Sequence, residues 1–138
     1  KQQQDELKVI HGKYVPVLVK IAPDMDKVAI EQVVDCIVTQ GMDGIIATNT
    51  TLSRDAVKGL KHAEEAGGLS GDPVRDMSTQ VIRTIRAINK DIPIIGVGGV
   101  NSAQAAKEKL EAGACLVQIY SNFIYQGPDL IKDIVNNI

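Results

Sequence analysis

Tryptophan is absent from this chain, and aromatic residues make up only 3 % of its 138 positions. A stacking platform for nucleic-acid bases needs such rings, so none is expected. A basic surplus is missing as well. Lys and Arg number 15 against 17 Asp and Glu, for a net charge of −2 and a pI near 5.6. The electrostatic footprint of a nucleic-acid binder is therefore not there. Cysteine is limited to Cys36 and Cys115, too few for a disulfide framework. Both sit inside apolar runs and are expected as small buried hydrophobes. The two histidines, His11 and His62, have no Cys or His at metal-ligand spacing, which argues against zinc. No apolar run is long enough to span a bilayer.

What is present is a repeat of apolar runs and helical patterns, in a chain of ordinary single-domain size and composition. The opening Lys1 to Lys8 reads as the tail of a helix already under way, so a piece of a longer protein is expected, with residues 1–14 finishing that helix. Four apolar runs of strand length follow: Val15 to Ala22, Gly44 to Thr48, Pro93 to Val97 and Cys115 to Tyr120. After the first, Asp24 and Asp26 signal a helix start, Ile30, Val33, Val34, Ile37 and Val38 share a helical face, and Gly41 closes it. After the second comes a polar, Gly-rich excursion, residues 49–72. Pro73 then opens a helix with its apolar face on Val74, Met77, Val81, Ile85 and Ile88. After the third, Asn101 or Ser102 starts a helix to about Glu111, ended by Gly113. A last amphipathic helix carries Leu130, Ile131, Ile134, Val135 and Ile138.

This is a β-α unit repeated four times. The strands are continuously apolar, the pattern of a parallel sheet covered on both faces. Four such units amount to half of a (β/α)8 TIM barrel. A small open sheet with helices on both sides is the alternative, but Gly96-x-Gly98 meets Asn101 where a dinucleotide fingerprint needs its third glycine. The α/β half barrel is the favoured reading.

In a barrel, chemistry gathers at the C-terminal ends of the strands. Those ends carry Lys20, then Thr48-Asn49-Thr50, then Gly98-Gly99, then Tyr120-Ser121-Asn122. Paired glycines before a helix start let backbone amides approach an anion; the same pair also suits a plain tight turn. Lys20 inside an apolar run either meets an anion or electron-rich ring, or packs its stem and sends its ammonium to water. Thr48 to Thr51 offer hydroxyls and a carboxamide for a planar ligand, or simply stabilise a turn. Gly67-Gly68-Leu69-Ser70-Gly71 is either a closing loop or a linker. Arg54, Lys58, Lys61 and His62 read as a solvated face. Acid-base pairs and Ser-His-Asp sets do not stand out.

Five segments, in order, resemble the C-terminal part of the dihydroorotate dehydrogenase family: Val19-Lys20-Ile21-Ala22-Pro23-Asp24, Ala47-Thr48-Asn49-Thr50-Thr51, Gly67-Gly68-Leu69-Ser70-Gly71, Pro93 to Val100, and Leu116-Val117-Gln118-Ile119-Tyr120-Ser121. The Asn-Thr-Thr and Gln-Ile-Tyr-Ser forms are similar to the class 2, quinone-dependent branch. The resemblance implies a (β/α)8 barrel that binds FMN and oxidises dihydroorotate to orotate in pyrimidine (UMP) synthesis, with a quinone as acceptor. It implies that Lys20, Thr48, Ser70, Gly71, Gly98, Gly99, Tyr120 and Ser121 contact FMN, the last four around its phosphate, and that Asn49 and Thr50 hold the orotate. In that branch the base for the substrate's C5 proton is a serine in the first half of the barrel, and the membrane-associating segment precedes the barrel. Both are expected upstream of Lys1. The implied location is peripheral: the cytoplasmic side of a bacterial inner membrane, or the mitochondrial inner membrane. On this reading the chain by itself lacks its base and is inactive. An inactive half barrel that self-associates through unpaired edge strands, and another FMN- or phosphate-binding barrel enzyme, are the competing readings.

Overall fold

A computed structural model describes all residues, Lys1–Ile138. Helix α1 (Gln2–His11) leads into strand β1 (Leu18–Ile21), helix α2 (Lys27–Thr39) and strand β2 (Gly44–Ala47). The long excursion follows, then α3 (Arg75–Ile88), β3 (Ile94–Val97), α4 (Ala103–Glu111), β4 (Leu116–Gln118), α5 (Ser121–Gln126) and α6 (Asp129–Asn137). The four strands form one parallel sheet in the order β1-β2-β3-β4. Successive helices lie against one another, α2 on α3, α3 on α4 and α4 on α6. Crossovers that advance in one direction and keep one hand leave all their helices on one side of the sheet. That is the arrangement of a barrel wall, whereas a doubly wound sheet reverses its strand order.

Local signals place the helices. Asp26 caps α2, its carboxylate accepting from the Ala29 amide at 2.8 Å, and Ser102 caps α4, accepting from Ala105 at 3.3 Å. Asp24 has a different task, treated below. Gly41, at φ 63°, takes the left-handed turn after α2 that a side chain resists. Pro73 lies in a short 3-10 turn, Asp72–Val74, that runs into α3. The main core gathers Ile30, Val34 and Ile37 of α2, Val81, Ile82 and Ile85 of α3, and Ile45 and Ile94 of the sheet. A second, smaller cluster joins Val100, Ala106, Leu130 and Ile134. The apolar faces are narrower than expected. Val38, Ile88, Ile131, Val135 and Ile138 are exposed, while Ile82, Ser78 and Thr79 are buried on α3.

Two expectations are corrected here. The strands are not covered on both faces. The parallel register aligns Ile21, Ala47, Gly96 and Val117 beneath the helices, and Lys20, Ile46, Ile95 and Leu116 on the helix-free face. The first row is buried except for the half-buried Val117; in the second, Lys20 and Leu116 are exposed. Lys20 is therefore not buried within its run, because alternation along the strand turns it away from the helices. The cysteines are not buried either. Cys36 lies on the solvent side of α2 and Cys115 at the edge strand, and both are exposed free thiols.

At the opposite edge, α1 is tied to the sheet by one carboxylate. Asp43 accepts from the Tyr14 hydroxyl, and at 2.8 Å each from the Val17 amide and the Gln4 carboxamide. These bonds, that of Tyr14 first, lower its pKa from 3.8 to about 2. A carboxylate depressed on folding adds stability that is complete above its unfolded pKa and is lost as pH falls through the folded value. In urea titrations the gap between wild type and Asp43→Asn is expected to be constant above about pH 5 and to close toward pH 2. A gap independent of pH would remove Asp43 from the tie. Ile85→Ala, in the middle of the core, is expected to cost about 2–5 kcal/mol in the same measurement.

Candidate active site

Peptide ends converge where the sheet meets its C-terminal edge. Past β2, Thr48 donates its amide to Val97 at 2.9 Å and Asn49 its amide to Ile21 at 2.8 Å, so the strand exits stay in register after the ladder ends. A cis peptide joins Ala47 to Thr48. From behind, the buried Ser78 of α3 donates to the Val97 carbonyl. Asn49 accepts the Thr50 amide on its Oδ1 at 2.9 Å, which leaves its carboxamide NH2 free to face a ligand.

The excursion is neither a linker nor a solvated tail. Thr51 and Leu69 pair as an antiparallel bridge, at 3.1 and 2.8 Å. Asp24 accepts from the Thr51 hydroxyl and the Leu52 amide, fastening the loop to the β1 exit. Arg54, read as part of a solvated face, instead turns inward. Its guanidinium donates to the carbonyls of Leu52 (3.2 Å), Ser53 (3.3 Å) and Glu65 (3.1 Å), and also to that of Gly67. A side chain with five donors and no acceptor suits a loop whose carbonyls lack a strand to bond. Lys58, Lys61 and His62 are exposed as expected. Gly68 is needed for closeness, since a Cβ there would overlap the Thr50 side chain. The loop ends in a clasp: Ser121 donates to Ser70 at 2.9 Å and Asn122 to Asp72 at 3.1 Å.

These exits enclose a cleft of about 340 Å3. Lys20, Thr48, Asn49, Thr50, Ser70, Gly71, Gly98, Gly99, Tyr120 and Ser121, the ten positions singled out in the sequence, all line it. It is also lined by Asn122, the last residue of the Tyr120-Ser121-Asn122 strand end, and by Val74, Val97, Val100, Gln118 and Ile119, to which the sequence reading gave no role. Lys20 is the one charged side chain among them, so the cleft presents a single cation and otherwise neutral donors and acceptors.

The turn after β3 is the most constrained part of the wall. Gly98 and Gly99 have φ of 120° and 65°. A Cβ on Gly99 would overlap Arg75 Cβ and lie 2.8 Å from Arg75 Cα; one on Gly98 would lie 3.1 Å from Ser78 Cβ. Both glycines are thus demanded by the approach of α3 as well as by conformation. The amides of Gly98, Gly99 and Val100 donate to no other group of the chain, although Gly99 and Val100 are buried. Buried unpaired N–H groups at a cleft wall are suited to receive an anion, because leaving them without an acceptor is costly.

A parallel sheet with its helices along one side and a donor-rich cleft at its C-terminal edge defines the wall of an α/β barrel as the class. Comparison narrows this further. The family model for dihydroorotate dehydrogenase matches residues 2–138, and the chain belongs to that family. It is 58 % identical to the dihydroorotate dehydrogenase (quinone) of Aliivibrio salmonicida over 139 aligned residues, and 58 % identical to that of an Enterobacter species. Each alignment covers 100 % of this chain and 41 % of the relative. Crystal structures of the Eimeria tenella enzyme, one with ferulenol and one ligand-free, superpose with TM-scores of 0.85 at 33 % and 34 % identity. They cover 91 % of this chain and 34 % and 35 % of theirs. The resemblance to the quinone-dependent branch and the barrel architecture are both borne out.

Gly99→Ala combines a left-handed φ with a backbone overlap, whereas Gly12→Ala (φ 62°) meets nothing within 4 Å. Thermal unfolding is expected to show Gly12→Ala destabilised by about 1 kcal/mol and Gly99→Ala by at least twice that. Equal losses would mean that α3 yields readily at this contact.

Proposed function

We propose that this chain supplies the cofactor seat and part of the substrate site of a quinone-dependent dihydroorotate dehydrogenase, acting in pyrimidine synthesis. The observation that carries this reading is the cleft itself. One cation, three unpaired amides and a set of hydroxyl and carboxamide groups converge at the sheet's C-terminal edge, in a chain of this family. This donor set fits FMN, whose phosphate needs N–H donors and whose ring has polar edges.

FMN, when bound, would supply the two-electron acceptor that links dihydroorotate to a quinone. The chain's own residues do the remaining work. The amides of Gly98, Gly99 and Val100 take the phosphate, with Tyr120 and Ser121 beside them. Lys20 sets a positive charge at the rim where electron density gathers during oxidation; a preorganised cation favours that charge without reorganisation. Thr48, Ser70 and Gly71 position the ring. Asn49 and Thr50 hold the planar substrate, the Asn49 NH2 donating to it. The lining residues include no carboxylate and no histidine. The resemblance to the quinone-dependent branch implies that a serine in the first half of the barrel removes the C5 proton and that a segment preceding the barrel makes the membrane contact. No helix is long and apolar enough to cross a membrane.

An absorbance scan of the complete protein, with the rest of the barrel present, paired with native mass spectrometry, tests the reading. Bound flavin that bleaches on adding dihydroorotate and returns with a quinone is the expected result. A colourless protein that only self-associates would overturn it. In the flavin-loaded protein, Lys20→Ala is expected to slow reductive bleaching by about a hundredfold or more, the usual scale for one preorganised electrostatic contact. An unchanged rate would take Lys20 out of the mechanism.

A further inference from the structure

We infer that Lys109, buried beneath α3 and outside the cleft lining, is a positioning residue that sets the geometry of the Gly98-Gly99 anion seat. The inference rests on the assignment of that seat to the FMN phosphate.

Lys109 is completely buried, and it is the largest fully buried side chain. A lysine is almost never placed so without partners. Its ammonium donates to the Arg75 carbonyl at 2.8 Å and to the Thr79 hydroxyl at 2.6 Å, both in the first turns of α3. Its stem lies on the sheet at Gly96, where a Cβ would come within 3.0 Å of Lys109 Cβ. The first glycine of the Gly96-x-Gly98-Gly99 run thus makes room for this lysine and takes no part in the turn. The preceding residue of α4, Glu108, accepts from Arg75 at 2.7 and 3.1 Å. Two adjacent residues of α4 therefore grip Arg75, one by its carbonyl and one by its guanidinium.

Arg75 is also the residue on which Gly99 rests, closely enough that no Cβ fits between them. The seat is consequently trapped. Its near side lies on Arg75, its far side runs into the Ser102 cap of α4, and Lys109 holds α3 and α4 at one spacing. Burial, and next the neighbouring Arg75 charge, lower its pKa to about 8, still above neutrality. Glu108, Asp76 and Arg83 are the other charges that act on it. Arg75 itself, occupied by Glu108, does not serve as a ligand in the cleft lining.

The test compares two flavins on the protein stripped of cofactor. FMN carries the phosphate and riboflavin lacks it, so the ratio of their Kd values by fluorescence quenching isolates the seat. A general loss of stability would weaken both alike. Lys109→Met is expected to weaken FMN about tenfold, the scale of one well-placed hydrogen bond to a charged group, with riboflavin nearly unchanged. Glu108→Gln, at a half-exposed site, is expected to shift the ratio in the same direction by less. An unchanged ratio in Lys109→Met overturns the inference. If Lys109→Met does not fold, an unchanged ratio in Glu108→Gln does so. Should the wild type bind both flavins equally, the phosphate assignment fails, and this inference with it; that outcome is visible before any variant is made.

Discussion

The approach of α3 to the turn after β3 is the contact on which the cleft depends. A turn with two positive φ angles and three unpaired amides holds its shape only if the surroundings leave it no alternative. Arg75 and Ser78 supply that confinement, the first through its backbone and the second through a hydroxyl shared with the β3 exit. Were α3 to sit an ångström farther out, the glycines would gain freedom and the amides would no longer share one target. The helices outside the sheet thus act on the binding edge by fixing where it can bend.

The excursion between β2 and α3 follows a similar logic with different chemistry. It has no core of its own, so hydrogen bonds supply its order. Asp24 fastens one end, Arg54 gathers the carbonyls in the middle, and Ser121 with Asn122 closes the other end. Among its glycines, Gly68 is required by the close fit of Thr50, whereas Gly59 and Gly67, with φ of 80° and 129°, are required by backbone conformation. The cleft is therefore walled on one side by packing and on the other by polar fastening.

The strand ends were legible in the sequence because polar residues at the close of apolar runs have few uses, and Lys20, Thr48, Asn49, Thr50, Tyr120, Ser121 and Asn122 all line one cleft. The β-α repeat was equally plain from period and caps. The two-faced burial of the strands was misread, since a continuously apolar run does not say which face a helix will cover. Arg54 was misread because a loop cation looks solvated until its carbonyl partners are known. Lys109 went unnoticed, although a signal existed. It stands four residues after Ala105 and three after Ala106, on the buried face of α4. A lone charge at an apolar helical position announces a buried polar partner, but the partners, Thr79 and the Arg75 carbonyl, lie on another helix and could not be read from spacing.

The strand order has a kinetic consequence. Every strand pairs only with its neighbours in the chain, and each helix packs on the next. Apart from the span across the excursion, closing each pairing therefore entails only a modest loop-entropy cost. Parallel pairing still waits for each crossover helix, so it is slower than the closing of hairpins. The main core lies on α2, β2, α3 and β3, so order can start in these central elements and spread outward to β1 and β4. The binding edge is then assembled from exits that mature at different moments, and the clasp between Ser70 and Ser121, which joins residues 51 apart in the chain, is among the last to close.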